Sequence, residues 1–418
     1  MPTLPSPDHG ATSAKAWQTP TNTGRQWEID ALRGLMLLLM TVTHLPTRLT
    51  SPLGQPFGYV SAAEGFVLLS AYVAGLVYSR LALRKSIDAM RQAFWRRALK
   101  VYLCQAAILL FLFTVIAAVG IKVDQPAVKD LMNYYLLQPY MALAAGLVLI
   151  YQPPLLDILP LYVLFMLASP WGLAWGLRHG WQRILWISFG FWVAGQFGIG
   201  TWTYNAVASA TGLHVPLEET GAFVIFSWQL LWVAGLWCGA SRNAPDAKPF
   251  VFSRKVLWAA AVIAVVCLVW RHVVGQAPFG ANVALNLLFD KWALGPLRVL
   301  DLIALSVVVL GYGPWLAARL PRQRWLETMG AASLPVFCAH LVIVLLVLAL
   351  LGSDPLERPA WQDGLLLAVS FPLLYGVALT TAWFDKRTQA AEANSVPQAP
   401  RISSTPPTAV PVELPAPK

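Results

Sequence analysis

Arg33 and His44 stand eleven positions apart in "LRGLMLLLMTVTHLP", residues 32–46. The residues between them are uncharged and mostly apolar. On an α-helix this spacing is a rise of about 16 Å. The arginine then marks the inner end of a membrane helix, and the histidine falls in its outer half. An ionisable side chain at membrane depth costs on the order of a few kcal/mol, so each one calls for a reason. A histidine at that depth can serve as general base for a hydroxyl arriving from outside. A histidine that only hydrogen-bonds a neighbouring helix accounts for the residue equally well.

Four acids and a second histidine extend the set. Glu64 opens the apolar run "SAAEGFVLLSAYVAGLVY", one short loop after His44. It suits an orienting carboxylate for His44, and it also completes an S-x-x-E capping box with Ser61. Asp157 in "LDILPLY" fits either a catalytic carboxylate or an N-cap ahead of Pro160. Asp301 in "GPLRVLDLIAL" lies one turn after Arg298, its expected ion partner. Asp30 precedes Arg33 in "EIDALRG". His340 in "SLPVFCAHLVIV" reads as inner-half, too shallow to be level with His44 on straight helices. It could line a cavity, and packing is the reading favoured for it.

These residues need helices to position them, and composition supplies the helices. The chain is 57% hydrophobic and 12% charged, against about 25% charged in soluble domains. Ten segments approach the roughly 20 residues that a bilayer demands: 30–48, 60–80, 98–121, 155–177, 182–202, 221–240, 256–274, 297–318, 331–352 and 362–384. The expected fold is therefore an all-α integral membrane protein of about ten transmembrane helices. Residues 132–151 are apolar but interrupted by Pro139, with Tyr134, Tyr135 and Tyr140 at one end. They suit an interfacial or re-entrant segment.

Charge sets the orientation. The net charge is +10, and most of the basic residues sit in loops. One group holds Arg80, Arg84, Lys85, Arg91, Arg96, Arg97 and Lys100, and later ones hold Arg178 and Arg183, Arg242 to Lys255, Arg319 to Arg324, and Lys386 with Arg387. With ten spans these loops share one side, and the positive-inside rule makes it cytoplasmic, with both termini inside. An eleventh span at 132–151 would break that pattern. Clustering in short loops reads as topology rather than as a nucleic-acid-binding face. Residues 1–25 and 389–418 are Pro-rich and polar, and are expected to be disordered cytoplasmic tails around a 26–388 membrane domain. The first span then acts as its own insertion signal. Cys104, Cys238, Cys267 and Cys338 lie within apolar segments, without metal-ligand spacing, so no metal is expected. Many of the tryptophans suit the membrane interface, and outer ones could stack on sugar rings.

Several of these stretches occur together and in order: "EIDALRGLMLLLMTVTHLP", "GYVSAAEGFVLLSAYVAGLVYSR", "YYLLQPY", "LDILPLYVLFML", "WQLLWVAGLWCG", "KWALGPLRVLDLIALS" and "GAASLPVFCAHLV". Over residues 26 to 385 the chain resembles the OpgC family, implicated in succinylating osmoregulated periplasmic glucans, within the wider acyltransferase-3 superfamily. Arg33 and His44 match that superfamily's R-x10-H pattern. The resemblance departs in "MALAAGLVLIYQPPL" and at Ala71, where glycine is expected.

The resemblance implies a multi-pass protein of the bacterial inner membrane that moves an acyl group, succinyl by analogy, from cytoplasmic acyl-CoA to hydroxyls of a periplasmic glucan. The acyl-CoA is a donor substrate, and no cofactor is bound permanently. On this reading the catalytic candidates are His44, Glu64 and Asp157. The substrate-binding candidates are Arg33, Asp30, Ser70, Arg298, Asp301 and His340. The partners are the acyl-CoA, the glucan and the lipid bilayer, with no nucleic acid. A proton-coupled secondary transporter would also explain intramembrane His, Glu and Asp, though no inverted repeat is visible. A non-catalytic scaffold explains none of them.

Overall fold

The computed structural model describes residues 26–395 apart from 245, 246, 248 and 249. The expected N-terminal tail, residues 1–25, and residues 396–418 of the expected C-terminal tail lie outside the described residues; residues 389–395, expected to be disordered, instead continue the last helix. The fold is all-α, with no strand among the described residues.

Each of the ten expected segments forms helix. They are α1 (Trp27–His44), α2 (Ala62–Arg84), α3 (Ile87–Phe111, continued through Leu112–Ile116 and Ala117–Val123), α4 (Ile158–His179), α5 with α6 (Gln182–Gln196 and Ile199–Thr211), α7 (Ile225–Ser241), α8 (Arg254–Val274), α9 (Pro296–Ala317), α11 (Ser333–Leu351) and α12 (Ala360–Ser395). A short α10 (Arg324–Ala331) precedes α11. Seven of these are long and apolar enough to cross a bilayer, and the α5–α6 pair, bent by 80° at its break, reaches that length only when its two helices are taken together, as a broken span or a re-entrant loop. The others are α1, which carries Glu28, Asp30 and Arg33, and the 17-residue α7. Both put much of their surface inside the bundle, through Leu37, Leu38 and Met40 and through Trp228, Leu231, Trp232 and Leu236. A helix walled by protein can be shorter and more polar than one facing lipid. By contrast α8 and α9 turn Val262, Val265, Val269 and Ile303 outward.

Small residues bring the inner helices close. Gly235 and Gly239 of α7 lie against the α2 backbone, and a Cβ at Gly235 would sit 2.6 Å from the Leu68 carbonyl oxygen. Glycines four apart permit such backbone approach in membranes. Ala71, unexpected in its motif, faces Gly235, whose missing side chain makes room for the extra methyl.

Residues 132–151 do not form a span. They make two short helices, Asn133–Leu137 and Pro139–Leu147, broken at Pro139 as its fixed ring predicts. The π turn in α3 presents the Phe113 carbonyl, which accepts from the Tyr135 hydroxyl at 3.1 Å, and the two rings stack at 3.9 Å.

Candidate active site

Pro46 ends α1. The residue before a proline is pushed out of the helical region, and Leu45 is extended at φ −67°, ψ 131°. His44 thus becomes the last residue of α1, beside α11. His44 Nδ1 lies 3.2 Å from His340 Nε2, and the rings stack at 5.4 Å. The expectation that His340 is too shallow to meet His44 is therefore corrected. It assumed that both helices run the full membrane depth with level ends. In fact α1 stops at His44, while α11 continues past His340 to Leu351.

The bonding assigns the protons. His340 Nδ1 is 2.6 Å from the Phe337 carbonyl, which only accepts, so Nδ1 carries a hydrogen. In the neutral ring Nε2 is then an acceptor, and His44 Nδ1–H donates to it. His44 Nε2 is left with its lone pair. A half-buried imidazole held by one nitrogen, with its other nitrogen left unbonded among the described residues, is the arrangement a general base needs.

Toward the other end of the same helices lies a cavity of about 210 Å³. Cavities of about 150 Å³ already hold benzene, so a short acyl group fits. Arg33, Ser70, Arg97, Tyr162 and Ser333 give it polar walls, and Phe66 and Phe337 contribute rings. Arg33 donates to Ser333 Oγ at 2.5 Å and pairs with Asp30 at 3.6 Å, which supports the guanidinium from behind. The Phe66 and Phe337 rings stack at 5.9 Å, and Phe337 meets His340 edge-on at 4.7 Å. One aromatic layer thus separates the arginine-lined cavity from the histidine pair.

The remaining candidates divide. Arg33 and Ser70 are brought to the cavity, and Asp30 backs Arg33. Glu64 does not pair with His44. Its Oε1 accepts from Arg298 Nε at 2.7 Å, and its Oε2 accepts from the Ser61 amide at 3.0 Å and from the Ser61 hydroxyl. With both oxygens engaged and no exposure, Glu64 is the capping-box residue and half of a buried ion pair. Arg298 accordingly does not pair with Asp301. Asp301 instead accepts from the Tyr59 amide at 2.8 Å and holds the loop before α2. Asp157 caps α4 without a side-chain bond to it and reaches the Ala222 amide at 3.4 Å.

Two residues escaped the sequence reading. Arg97 was one of seven basic residues in a loop that could grip a phosphorylated cosubstrate but was read mainly as topology, and it lines the cavity. Lys291, in the loop before α9, is felt electrostatically by His44 and interacts with Glu64, Asp157 and Arg298. Burial is the main influence on its ammonium and lowers its pKa from the ordinary lysine value. A basic residue in a loop on the side otherwise poor in them was the signal for it.

Comparison with known proteins decides the kinship. A family described as OpgC protein matches residues 25–386. The chain belongs to the OpgC family. No curated protein and no solved structure matches it significantly. OpgC membership carries an OpgC-type role, a transferase acting in glucan modification, and the apolar helices make this OpgC protein a multi-pass membrane protein. The stretch "MALAAGLVLIYQPPL", which departs from the expected motifs, falls inside the matched region.

Proposed function

We propose that the chain is a transmembrane O-acyltransferase of the bacterial inner membrane. It moves an acyl group, succinyl, from cytoplasmic acyl-CoA to hydroxyls of periplasmic glucans. The observation that carries this reading is the His44–His340 pair, one aromatic layer from a cavity walled by Arg33 and Arg97. Two arginines suit the anionic donor, since guanidinium groups bind phosphate oxygens. The acyl thioester passes the Phe66–Phe337 layer to reach His44.

The glucan hydroxyl approaches from the opposite side. His44 Nε2 takes its proton as the oxygen attacks the thioester carbonyl. The tetrahedral intermediate then collapses, the carbon–sulfur bond breaks, and the His44 proton passes to the departing thiolate. The products are an ester and free CoA. His340 holds the His44 ring in the productive tautomer and accepts from its Nδ1–H throughout.

A proton-conducting transporter could also use paired histidines. Here the bonded chain ends at the Phe337 carbonyl, which cannot take up a proton, so the pair suits a base better than a relay. Mass spectrometry of periplasmic glucans from cells with and without the protein tests the proposal. Acyl esters that disappear with the protein are expected. Unchanged glucans would overturn it.

A further inference from the structure

The chain leaves its helix at His44 and turns at once, and this turn is held from within and from outside. From within, the Leu45 carbonyl accepts from the Thr47 amide at 2.8 Å and from the Thr50 hydroxyl at 2.6 Å. From outside comes Arg358, a buried arginine in the loop between α11 and α12. Its Nη2 donates to the Pro46 carbonyl, two residues after His44. Its Nη1 donates to the carbonyl of Leu351, the last residue of α11, at 3.4 Å. One planar guanidinium thus joins the end of the helix that carries His44 to the end of the helix that carries His340. Arg358 Nε makes no hydrogen bond, so the hold falls on the two terminal nitrogens.

The local sequence delivers Arg358 to this place. Asp354 accepts from the Leu356 amide at 2.7 Å and starts the turn Pro355–Glu357. Pro359 then keeps Arg358 extended, at φ −120°, ψ 152°. A guanidinium withdrawn from water needs a counter-charge. Asp363, in the first turn of α12 and itself buried, lies 3.7 Å from Arg358 Nη2. Asp363 Oδ2 also accepts from the Arg48 amide and from Arg48 Nη1, each at 3.1 Å, and Arg48 Nη2 donates to the Arg358 carbonyl at 2.7 Å. Two arginines and an aspartate therefore enclose the segment that follows His44.

Ending α11 does not account for the arginine. That helix has its own terminator in Gly352 at φ +77°, whose amide donates to the Leu348 carbonyl at 3.1 Å. A cap would not need the bond to Pro46 either. What the network adds is a fixed offset between two helix ends. His44 Nδ1 and His340 Nε2 meet at 3.2 Å. That is the long end of the hydrogen-bond range, so a slide of α1 along α11 by one residue's rise, about 1.5 Å, breaks the contact.

We propose that Arg358 is a positioning residue for acyl transfer: by tying Pro46 to Leu351, with Asp363 and Arg48 holding it in place, it sets the register in which His44 meets His340. The inference rests on His44 as the base and adds what aims it.

The test uses the purified full chain in proteoliposomes with succinyl-CoA and a glucan acceptor. Arg358→Met keeps an apolar stem and removes the donors. It is expected to lower kcat by about 10- to 100-fold, the scale of one hydrogen bond to a charged group. KM for succinyl-CoA should stay near wild type, since Arg358 takes no part in the cavity wall. Arg358→Lys should recover part of the loss, because a single ammonium reaches one carbonyl but does not span two. In a His44→Ala background, Arg358→Met should slow the residual transfer no further. If Arg358→Met does not accumulate in the membrane, Arg48→Ala decides, with an expected fall in kcat of about 2- to 10-fold at unchanged KM. Wild-type kcat in Arg358→Met, or in Arg48→Ala where that variant decides, would overturn the inference. So would an effect confined to KM, or an equal further loss in the His44→Ala background, which would make Arg358 a folding residue. A wild type that transfers nothing would overturn the acyl-transfer reading itself.

Discussion

Replacing His340 by alanine tests how the histidine pair works. The change removes the acceptor of His44 Nδ1–H, a 3.2 Å bond in a site where His340 is fully buried. Leaving a buried donor unsatisfied costs about 1–3 kcal/mol. At about 1.36 kcal/mol per tenfold, the rate should fall about 5- to 150-fold. His44→Ala removes the base itself and should cost about 10²–10⁴-fold. Because His340 acts through His44, the double variant should be no slower than His44→Ala alone. His340→Gln should recover part of the loss, since the glutamine oxygen can stand near the lost Nε2 and accept the same bond. The assay is acyl transfer to glucan in proteoliposomes, read by mass spectrometry, with melting temperature as the folding control. If His340→Ala slows His44→Ala further by its full single-variant factor, the two histidines act independently and the tautomer argument fails. Wild-type transfer by His44→Ala would place the base elsewhere.

Other expectations follow from the same geometry. Arg97→Ala and Arg33→Ala should each weaken acyl-CoA binding, measured by calorimetry, while the protein still inserts; unchanged affinity in both would detach the cavity from the donor. Glu64→Gln should lower stability by about 3–5 kcal/mol by leaving Arg298 buried and unpaired, and replacing Glu64 and Arg298 together by apolar residues should recover most of it. A thermal melt of Glu64→Gln that matches wild type would contradict that account of the ion pair. Reporter fusions after Lys386 should read cytoplasmic and fusions near Glu218 periplasmic, and the reverse would refute the charge-based topology.

The local sequence determined a good deal by itself. All ten apolar runs became helix, one of them as the bent pair α5 and α6, because a backbone in lipid must satisfy its hydrogen bonds within each segment. Pro46 and Pro139 set breaks that are visible in the sequence. Arg33 and His44 stood out because charge and imidazole are rare within apolar runs. The S-x-x-E pattern at Ser61 and Glu64 was legible as a cap because capping is a contact over three residues.

Tertiary structure decided what those groups meet. His340 joins His44 because α1 ends at His44 while α11 runs on past His340 to Leu351, and how two helices line up is set by packing rather than by apolar length. Glu64 turned to Arg298, 234 positions away, rather than to His44. Of the seven basic residues between Arg80 and Lys100, Arg97 is the one in the cavity wall. Local pattern fixes periodicity and breaks, but each of these partners comes from a separate helix. Only the packed bundle sets which polar groups share a low-dielectric pocket, and in that pocket their chemistry is decided.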